Sequence, residues 1–247
     1  MSAISLGRTR RTARTGVVCA LVLTGLLAGC AEDPDAGTNG VGKLPAEQIQ
    51  RRTRAAAEGA DTVRLAGDVV TNGRTYRLDM RLSAQGASGS VTSKGVAFGL
   101  LRVGEHLYVK ADAGFWSHAE DGKGGDTDAA GKLDGKYVKV PQGDPAYKKF
   151  SGFTEKDVLL DGLLTLHGSL ATDGHHEQSG TRTIRVTGDK GSGGTLDVSL
   201  EGRPYPLRLE RAGDAGTLTF SSWGAAVALE EPKESETVDY GKQLPTS

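Results

Sequence analysis

A strict alternation of apolar and polar residues runs from Arg74 to Leu82. The apolar positions are Tyr76, Leu78, Met80 and Leu82, and every position between them is polar. Successive side chains of a β-strand point to opposite faces, so this pattern predicts a strand with one buried and one wet face. Residues 62–71 show the same period, and Asn72-Gly73 between the two runs is a strong signal for a two-residue turn. We therefore predict an antiparallel hairpin.

The period of two returns in short runs along much of the chain. These runs are residues 88–93, 96–103, 105–110, 183–187, 196–200, 205–209 and 218–220. Short strands separated by glycine-containing turns predict an antiparallel sheet. Because its strands are polar on one side, the sheet needs an apolar partner against the other.

Two stretches predict helices instead. Residues 46–58 follow Pro45, contain few β-branched side chains and are closed by Gly59. Residues 154–167 start with Thr154 as the predicted N-cap and carry a wide apolar arc. That arc consists of Val158, Leu159, Leu160, Leu163, Leu164 and Leu166. We expect the sheet to cover one side of this helix, and either an ordinary filled core or a bound apolar ligand to cover the other.

The inner face of the sheet has few large side chains available to fill it. Aromatic residues make up 5% of the chain, whereas glycine occurs 36 times. Native interiors are close-packed, so a lining of small residues leaves two alternatives: a tightly filled core, or an apolar space that favours hydrocarbon. The predicted fold class is α+β, an antiparallel half-barrel wrapped over helices with an apolar cavity between them.

The first 29 residues have the three-part pattern of an export signal. Four arginines precede an apolar stretch at 17–28, which ends in small residues before Cys30. This stretch is well short of the roughly 20 residues that cross a bilayer. We predict a signal peptide at residues 1–29. The pair Arg10-Arg11 leaves both the general secretory and the twin-arginine export routes open.

Charge and cysteine content narrow the classes of function. The chain has 30 basic and 31 acidic residues, and four of the basic ones lie in the predicted signal. Without the signal, acidic residues outnumber basic ones. This excess argues against nucleic acid as a partner and against a basic patch for anionic lipid. Cys19 lies in the signal, so beyond Cys30 no cysteine is left for a disulfide. Residues 30–44 are predicted as a flexible linker and residues 45–247 as a single domain.

The sequence predicts no catalytic residue, metal site or cofactor. His175-His176-Glu177 lacks the spaced partners of a metal site, and we interpret it as a solvated turn. The acidic run 121–128 lacks the spacing of a calcium loop, and residues 191–194 form a turn rather than a nucleophile elbow. Asp112-Ala113-Gly114 is interpreted as a hairpin turn, and residues 120–132 as a mobile loop.

A series of short motifs resembles the LppX/LprG family of actinobacterial lipoproteins. The motifs are residues 96–116, including Leu101-Arg102-Val103-Gly104-Glu105-His106-Leu107-Tyr108-Val109-Lys110, then Gly135-Lys136-Tyr137-Val138-Lys139-Val140, the leucine-rich helix, Arg203-Pro204-Tyr205-Pro206-Leu207-Arg208-Leu209, and residues 221–239. Leu27-Ala28-Gly29-Cys30 resembles the bacterial lipoprotein box, in which the cysteine receives a diacylglyceryl group and becomes the first residue. An ordinary secretory signal that ends near a cysteine is the alternative.

The resemblance implies a half-barrel similar to that of the LolA/LolB carriers, with a cavity that holds the acyl chains of envelope lipids or glycolipids. It also implies lipidation of Cys30, an anchor on the extracytoplasmic face of the cell membrane, and a membrane transporter as a candidate partner. We expect the cavity to be lined by Tyr76, Leu78, Met80, Leu82, Val158, Leu159, Leu163 and Leu166. The alternative function is a tethered scaffold protein with a filled core, and an enzyme with an unrecognised site is less favoured than either.

Overall fold

The predicted hairpin lies in the middle of a sheet to which the described residues contribute twelve strands. The computed structural model describes residues 33–117 and 127–239. The strands are β1 (Thr62–Thr71), β2 (Arg74–Ser83), β3 (Gly86–Ser93), β4 (Val96–Val103), β5 (His106–Ala111), β6 (Tyr137–Val140), β7 (Leu170–Gln178), β8 (Thr181–Gly188), β9 (Thr195–Ser199), β10 (Pro206–Glu210), β11 (Thr217–Ser221) and β12 (Thr237–Asp239). Their order in the sheet is β12-β6-β5-β4-β3-β2-β1-β11-β10-β9-β8-β7. The sheet is open, with β12 and β7 as its edges.

The hairpin of β1 and β2 forms at the predicted turn. Asn72 and Gly73 have φ angles of 51° and 69°, the left-handed conformation that a tight hairpin turn requires. The register pairs Leu65 with Met80 and Val63 with Leu82, and all four side chains are buried. We call the end of the sheet that holds this turn the upper end, and the opposite end, where β1 starts, the lower end.

Most neighbouring strands are antiparallel, as predicted. The exception is β12, which runs parallel to β6. The predicted turn at His175-His176-Glu177 is wrong, because these residues lie in the edge strand β7. Neither face of β7 is deeply buried, so its sequence has no alternation by which to recognise it.

In residues 33–117 and 127–239, five α-helices accompany the sheet. They are α1 (Ala46–Glu58), α2 (Ala113–Ser117), α3 (Thr127–Leu133), α4 (Pro145–Ser151) and α5 (Lys156–Leu163). The bounds of α1 are those predicted. The leucine-rich helix α5 is shorter than predicted and its N-cap is Glu155. Thr154 is buried and donates a hydrogen bond to Ser151 O (3.0 Å) instead.

Two predicted loops are partly helical. Asp112-Ala113-Gly114 is not a hairpin turn, because α2 starts there and Asp112 Oδ1 accepts a hydrogen bond from Phe115 N (2.9 Å). The loop prediction for residues 120–132 is wrong where α3 lies. Residues 118–126, which hold most of the predicted acidic run, are outside the described part of the chain.

The second half of the predicted linker packs on the domain. Val41 is 1% exposed, and Asn39 Nδ2 donates to Ser199 O (3.0 Å) and Gly202 O (3.2 Å) at the lower end. The compact unit starts at Pro34 rather than at Pro45. Polar composition suggested a free spacer, but these polar groups bond to backbone carbonyls of the sheet end. The predicted signal peptide and Cys30 lie outside the described residues.

Residues 222–236, here called the strap, connect β11 to β12 across the lower end of the sheet. Gly224 N donates to Thr62 O (3.1 Å) at the start of β1, and Thr62 Oγ1 donates to Ala225 O (2.6 Å). Further along, Glu231 lies 2.6 Å from His106 at the start of β5. The strap therefore crosses from the middle of the sheet to its β6 side and then runs to the upper end, where Lys136 Nζ donates to Ser235 O (3.1 Å). Strand β12 starts there, beside Tyr137, and so runs parallel to β6.

Candidate functional site

The predicted cavity-lining residues divide into three groups in the structure. Leu78, Met80 and Leu82 of β2 are 2%, 0% and 0% exposed, and Leu163 and Leu166 are 6% exposed each. Tyr76 and Leu159 are half-buried at the margin of the same core. Val158 is 61% exposed on the other side of α5. The structure thus brings five of the eight together inside, places two at the edge and puts Val158 outside.

The expected open cavity is closed along β2. A side chain with no accessible surface touches no void as large as a water molecule, and this holds for Met80 and Leu82. Met80 lies opposite Gly89 of β3, and a Cβ built on Gly89 would fall 2.6 Å from Met80 Sδ. Met80 therefore occupies the volume that the glycine leaves free, as its flexible thioether allows. This part of the interior is therefore tightly packed, as expected for the alternative of a filled core without a ligand.

A small cavity of about 70 Å³ lies at the upper end of α5. It is lined by Gly162, Leu163, Thr165, Leu166, His167, Gly193, Leu209, Arg211 and Ala212. Its position, between the end of α5 and the sheet, is where the sequence places the ligand, but Thr165, His167 and Arg211 make its lining more polar than apolar. The volume is under half of the roughly 150 Å³ that admits benzene to an apolar cavity. An acyl chain can lie here only if α5 moves away from the sheet.

An aromatic cluster that the sequence did not predict covers the inner face near α2 and α4. The Phe98 ring lies 5.0 Å from Phe115 and 5.4 Å from Phe150, and Phe115 lies 4.8 Å from Trp116. Trp116 is 4% exposed, and its Nε1 has no hydrogen-bond acceptor among the described residues. The low aromatic content of the chain predicted that small residues line the sheet, but the fold brings several of the aromatic side chains together in this cluster.

Helix α5 is fixed at its lower end by a buried amino group. Lys156 Nζ donates to Glu58 O and Ala60 O, both at 2.9 Å, and pairs with Asp157 Oδ1 at 2.8 Å. These bonds cap the C-terminal end of α1 as well. At the surface, Arg54 of α1 pairs with Asp161 of α5. The end of α5 that borders the small cavity is the end farther from Lys156.

A second cavity, of about 340 Å³, lies on the other face of the sheet and has both polar and apolar walls. It is lined by Glu105, His106, Lys139, Val140, Pro141, Gln142 and Asp239. The adjacent hydrogen bond from His106 holds the pKa of Glu231 below its ordinary value, and burial raises the pKa of Tyr108. Charges of both signs surround this cavity, so it does not suit an alkyl chain.

Cross-strand ion pairs stabilise the outer face of the sheet. Arg64 binds Asp79 through two hydrogen bonds of 2.8 and 2.7 Å, which lower the pKa of the Asp79 carboxyl. Arg185 binds Asp197 in the same way, at 2.7 and 3.0 Å. Asp197 lies directly opposite Arg185, whereas Asp79 lies opposite Ala66 and is reached diagonally by Arg64. Both are ordinary pairs across a sheet. Within residues 33–117 and 127–239, no three His, Cys, Asp or Glu side chains are grouped to hold a metal ion.

The chain is similar in structure to proteins of known coordinates. LprF from Mycobacterium bovis aligns with 19% identity and a TM-score of 0.53, covering 76% of this chain and 96% of LprF. The lipoprotein LppX from Mycobacterium tuberculosis aligns with 18% identity and a TM-score of 0.47, covering 75% and 98%. An uncharacterized conserved protein from Thermus thermophilus has 11% identity and a TM-score of 0.38, covering 78% and 98%.

Neither a protein-family model nor a curated protein sequence matches the chain. Among the described residues, no helix is long and apolar enough to span a membrane. The α+β class and the antiparallel sheet against helices agree with the prediction. The chain has the fold of LprF, and its resemblance to the LppX/LprG lipoproteins is therefore confirmed at the level of the fold.

Proposed function

We propose that this protein is an extracytoplasmic lipoprotein, anchored through a diacylglyceryl group on Cys30, that binds the acyl chains of a membrane lipid or glycolipid between α5 and the sheet. The observation that carries the proposal is the position of the small cavity, at the end of α5 and against Leu163 and Leu166. The lipoprotein box before Cys30 supports the anchor, and the LprF-like fold is consistent with both parts.

Binding requires an opening motion of α5. Lys156 fixes the lower end of the helix, whereas its upper end meets the sheet around the cavity. Outward movement of the upper end would enlarge the cavity beside Leu163 and Leu166. Apolar surface exposed by the motion would be covered by the alkyl chain, which gains about 0.8 kcal/mol per buried methylene. No bond in the ligand changes, and the lipid is released when α5 opens again.

Lipid that co-purifies with the domain tests the proposal directly. Residues 31–247 contain every contact described above and lack both cysteines. We expect an organic extract of this domain, purified from a bacterial host, to contain about one acyl lipid per protein by mass spectrometry. A protein that takes up no lipid in the host and no fluorescent fatty acid afterwards would contradict it.

A tryptophan on each side of α5 locates the site. Leu163→Trp places a larger side chain beside the small cavity, which can take up part of the ring, so we expect the domain to fold and to lose acyl-probe uptake. Val158→Trp is the matched control on the exposed side of the same helix and should leave uptake unchanged. Equal uptake by both variants and the parent would place the ligand elsewhere.

The closed packing along β2 favours a second candidate, a membrane-tethered interaction protein without a ligand. In that case the outer face of the sheet, with its paired charges, meets a protein partner. The same extract separates the two functions, because this candidate requires that no lipid is bound.

A further inference from the structure

The described chain begins at the lower end of the sheet, close to the predicted anchor. Arg182 Nη1 donates to Ala36 O (3.1 Å), and Asn39 bonds to the β9–β10 connection at Gly202. Pro34 is four positions after Cys30 in the sequence, and four residue steps span at most about 14 Å in any conformation. A lipid on Cys30 therefore keeps the lower end of the sheet close to the bilayer surface.

The part of the lower end beside this start carries an uncharged apolar segment. Residues 223–229, the first part of the strap, read Trp-Gly-Ala-Ala-Val-Ala-Leu. None of them is buried, and four of the seven are exposed. The exposed members are Gly224 and three alanines, and Trp223, Val227 and Leu229 lie half-buried beside them. The strap holds this surface in place through its bonds to Thr62.

An aromatic pair lies at the same end, next to the connection that Asn39 binds. The Tyr205 and Trp223 rings stack at 4.6 Å with an angle of 4° between them, and Trp223 Nε1 donates to Pro206 O (3.3 Å). Both rings are partly exposed. Tryptophan and tyrosine are enriched at membrane–water interfaces, where one part of the ring is apolar and the other is wet.

The charges near this surface exclude an electrostatic mode of attachment. Arg203 is exposed beside Tyr205, but Arg182 is offset by Glu201, 3.6 Å away. Beyond Leu229 the strap becomes acidic, with Glu230, Glu231 and Glu234. That acidic part lies toward β5 and β6, away from the start of the described chain. Contact with a bilayer would therefore depend on the apolar segment rather than on attraction to anionic lipid.

We infer that residues 223–229 and Tyr205 form a docking surface for the lipid bilayer, with Trp223 in the headgroup region. The inference rests on the proposed anchor at Cys30. It gives the domain one orientation: the lower end faces the membrane, and the upper end, where the small cavity lies, faces away. Lipid exchanged at that cavity would then leave toward the side opposite the anchoring membrane.

The two tryptophans of the chain make this orientation measurable. Residues 30–247 contain one cysteine, so Cys30 can be coupled to a maleimide lipid in phosphatidylcholine vesicles whether or not cells acylate it. Trp116→Phe leaves Trp223 as the reporter, and Trp223→Phe leaves Trp116, which follows the upper end of β5 and is 4% exposed. With brominated phosphatidylcholine we expect loss of Trp223 emission and retention of Trp116 emission.

A charge in the segment supplies a second test that does not depend on replacing a tryptophan. Ala226→Glu changes an exposed side chain of the strap and should abolish the quenching of Trp223. Ala97→Glu changes an exposed side chain near the upper end of β4 and should not. Trp223 emission that bromine leaves unchanged in the coupled parent would overturn the inference. Trp223 emission that changes with the density of protein on the vesicles, and not with bromine, would also overturn the inference. In that case a second copy of the chain covers the surface.

Failure of the anchor gives a different result. If cells do not acylate Cys30, the chain made in cells will stay out of the membrane fraction, while coupled vesicles still report whether the surface docks.

Quenching that disappears at 1 M NaCl would contradict an apolar contact, because screening acts on charges.

Discussion

At the scale of single residues, Lys156 is the group on which the attachment of α5 depends. Its side chain is 3% exposed, and Glu58 O, Ala60 O and Asp157 surround the amino group. A buried lysine is tolerated only when it is paired and hydrogen-bonded. The bonds to the end of α1 mean that the two helices share one polar contact inside an otherwise apolar layer.

Lys156→Met removes that contact and should destabilise the domain. Two carbonyl oxygens lose their donor, and each unsatisfied buried group costs about 1–3 kcal/mol. We expect the urea midpoint to fall accordingly. Lys148→Met, at an exposed position of α4, is the control and should change the free energy of unfolding by less than about 0.5 kcal/mol. Equal midpoints for both variants would show that the bonds of Lys156 contribute nothing to stability.

At the scale of elements, two glycines have opposite roles. Gly73 has a φ of 69° in the β1–β2 turn, which an L-residue adopts at a cost of about 1–2 kcal/mol. Gly162 lies inside α5, has ordinary helical geometry and has no atom within 4 Å of a built Cβ. The first glycine is required by its turn, whereas the second weakens the helix that borders the small cavity.

Alanine at the two positions should therefore change stability in opposite directions. Gly73→Ala is expected to destabilise the domain, and Gly162→Ala to stabilise it by about 0.4–1 kcal/mol because the unfolded chain loses freedom. Thermal unfolding of the two variants and the parent measures both effects. A decrease for Gly162→Ala would indicate that the end of α5 is not a regular helix in solution.

At the scale of the whole molecule, the proposed function needs a motion between layers that are packed closely in the described state. The apparent affinity for lipid then includes the free energy of opening. Arg54 and Asp161 hold α1 and α5 together at the surface, so this contact marks where a link would prevent the motion.

A covalent clamp tests the motion. In residues 31–247, Arg54→Cys with Asp161→Cys gives a chain with two thiols. A short bismaleimide should join them and abolish acyl-probe uptake without unfolding the domain. Asp161→Cys alone, treated with the same reagent, should retain uptake. Undiminished uptake by the clamped protein would show that binding does not require α5 to move away from α1.

The sequence by itself determined the parts whose causes are local. The alternation at 74–82 fixes which face of β2 is buried, Asn72-Gly73 fixes the turn, and Pro45 and Gly59 bound α1. The class of fold follows from these, because strands with one apolar face require a covering layer. Thr154 as an N-cap failed because its hydroxyl bonds back to Ser151 O, and Glu155, one residue later, takes the N-cap position.

The tertiary structure alone decided how the interior is filled. Met80 fills the space beside Gly89, which depends on the register between β2 and β3 rather than on composition. It also decided that Val158 is exposed, that residues 34–44 pack on the sheet end, and that the strap carries its apolar segment there. These outcomes follow from contacts between residues distant in sequence, which no local pattern records.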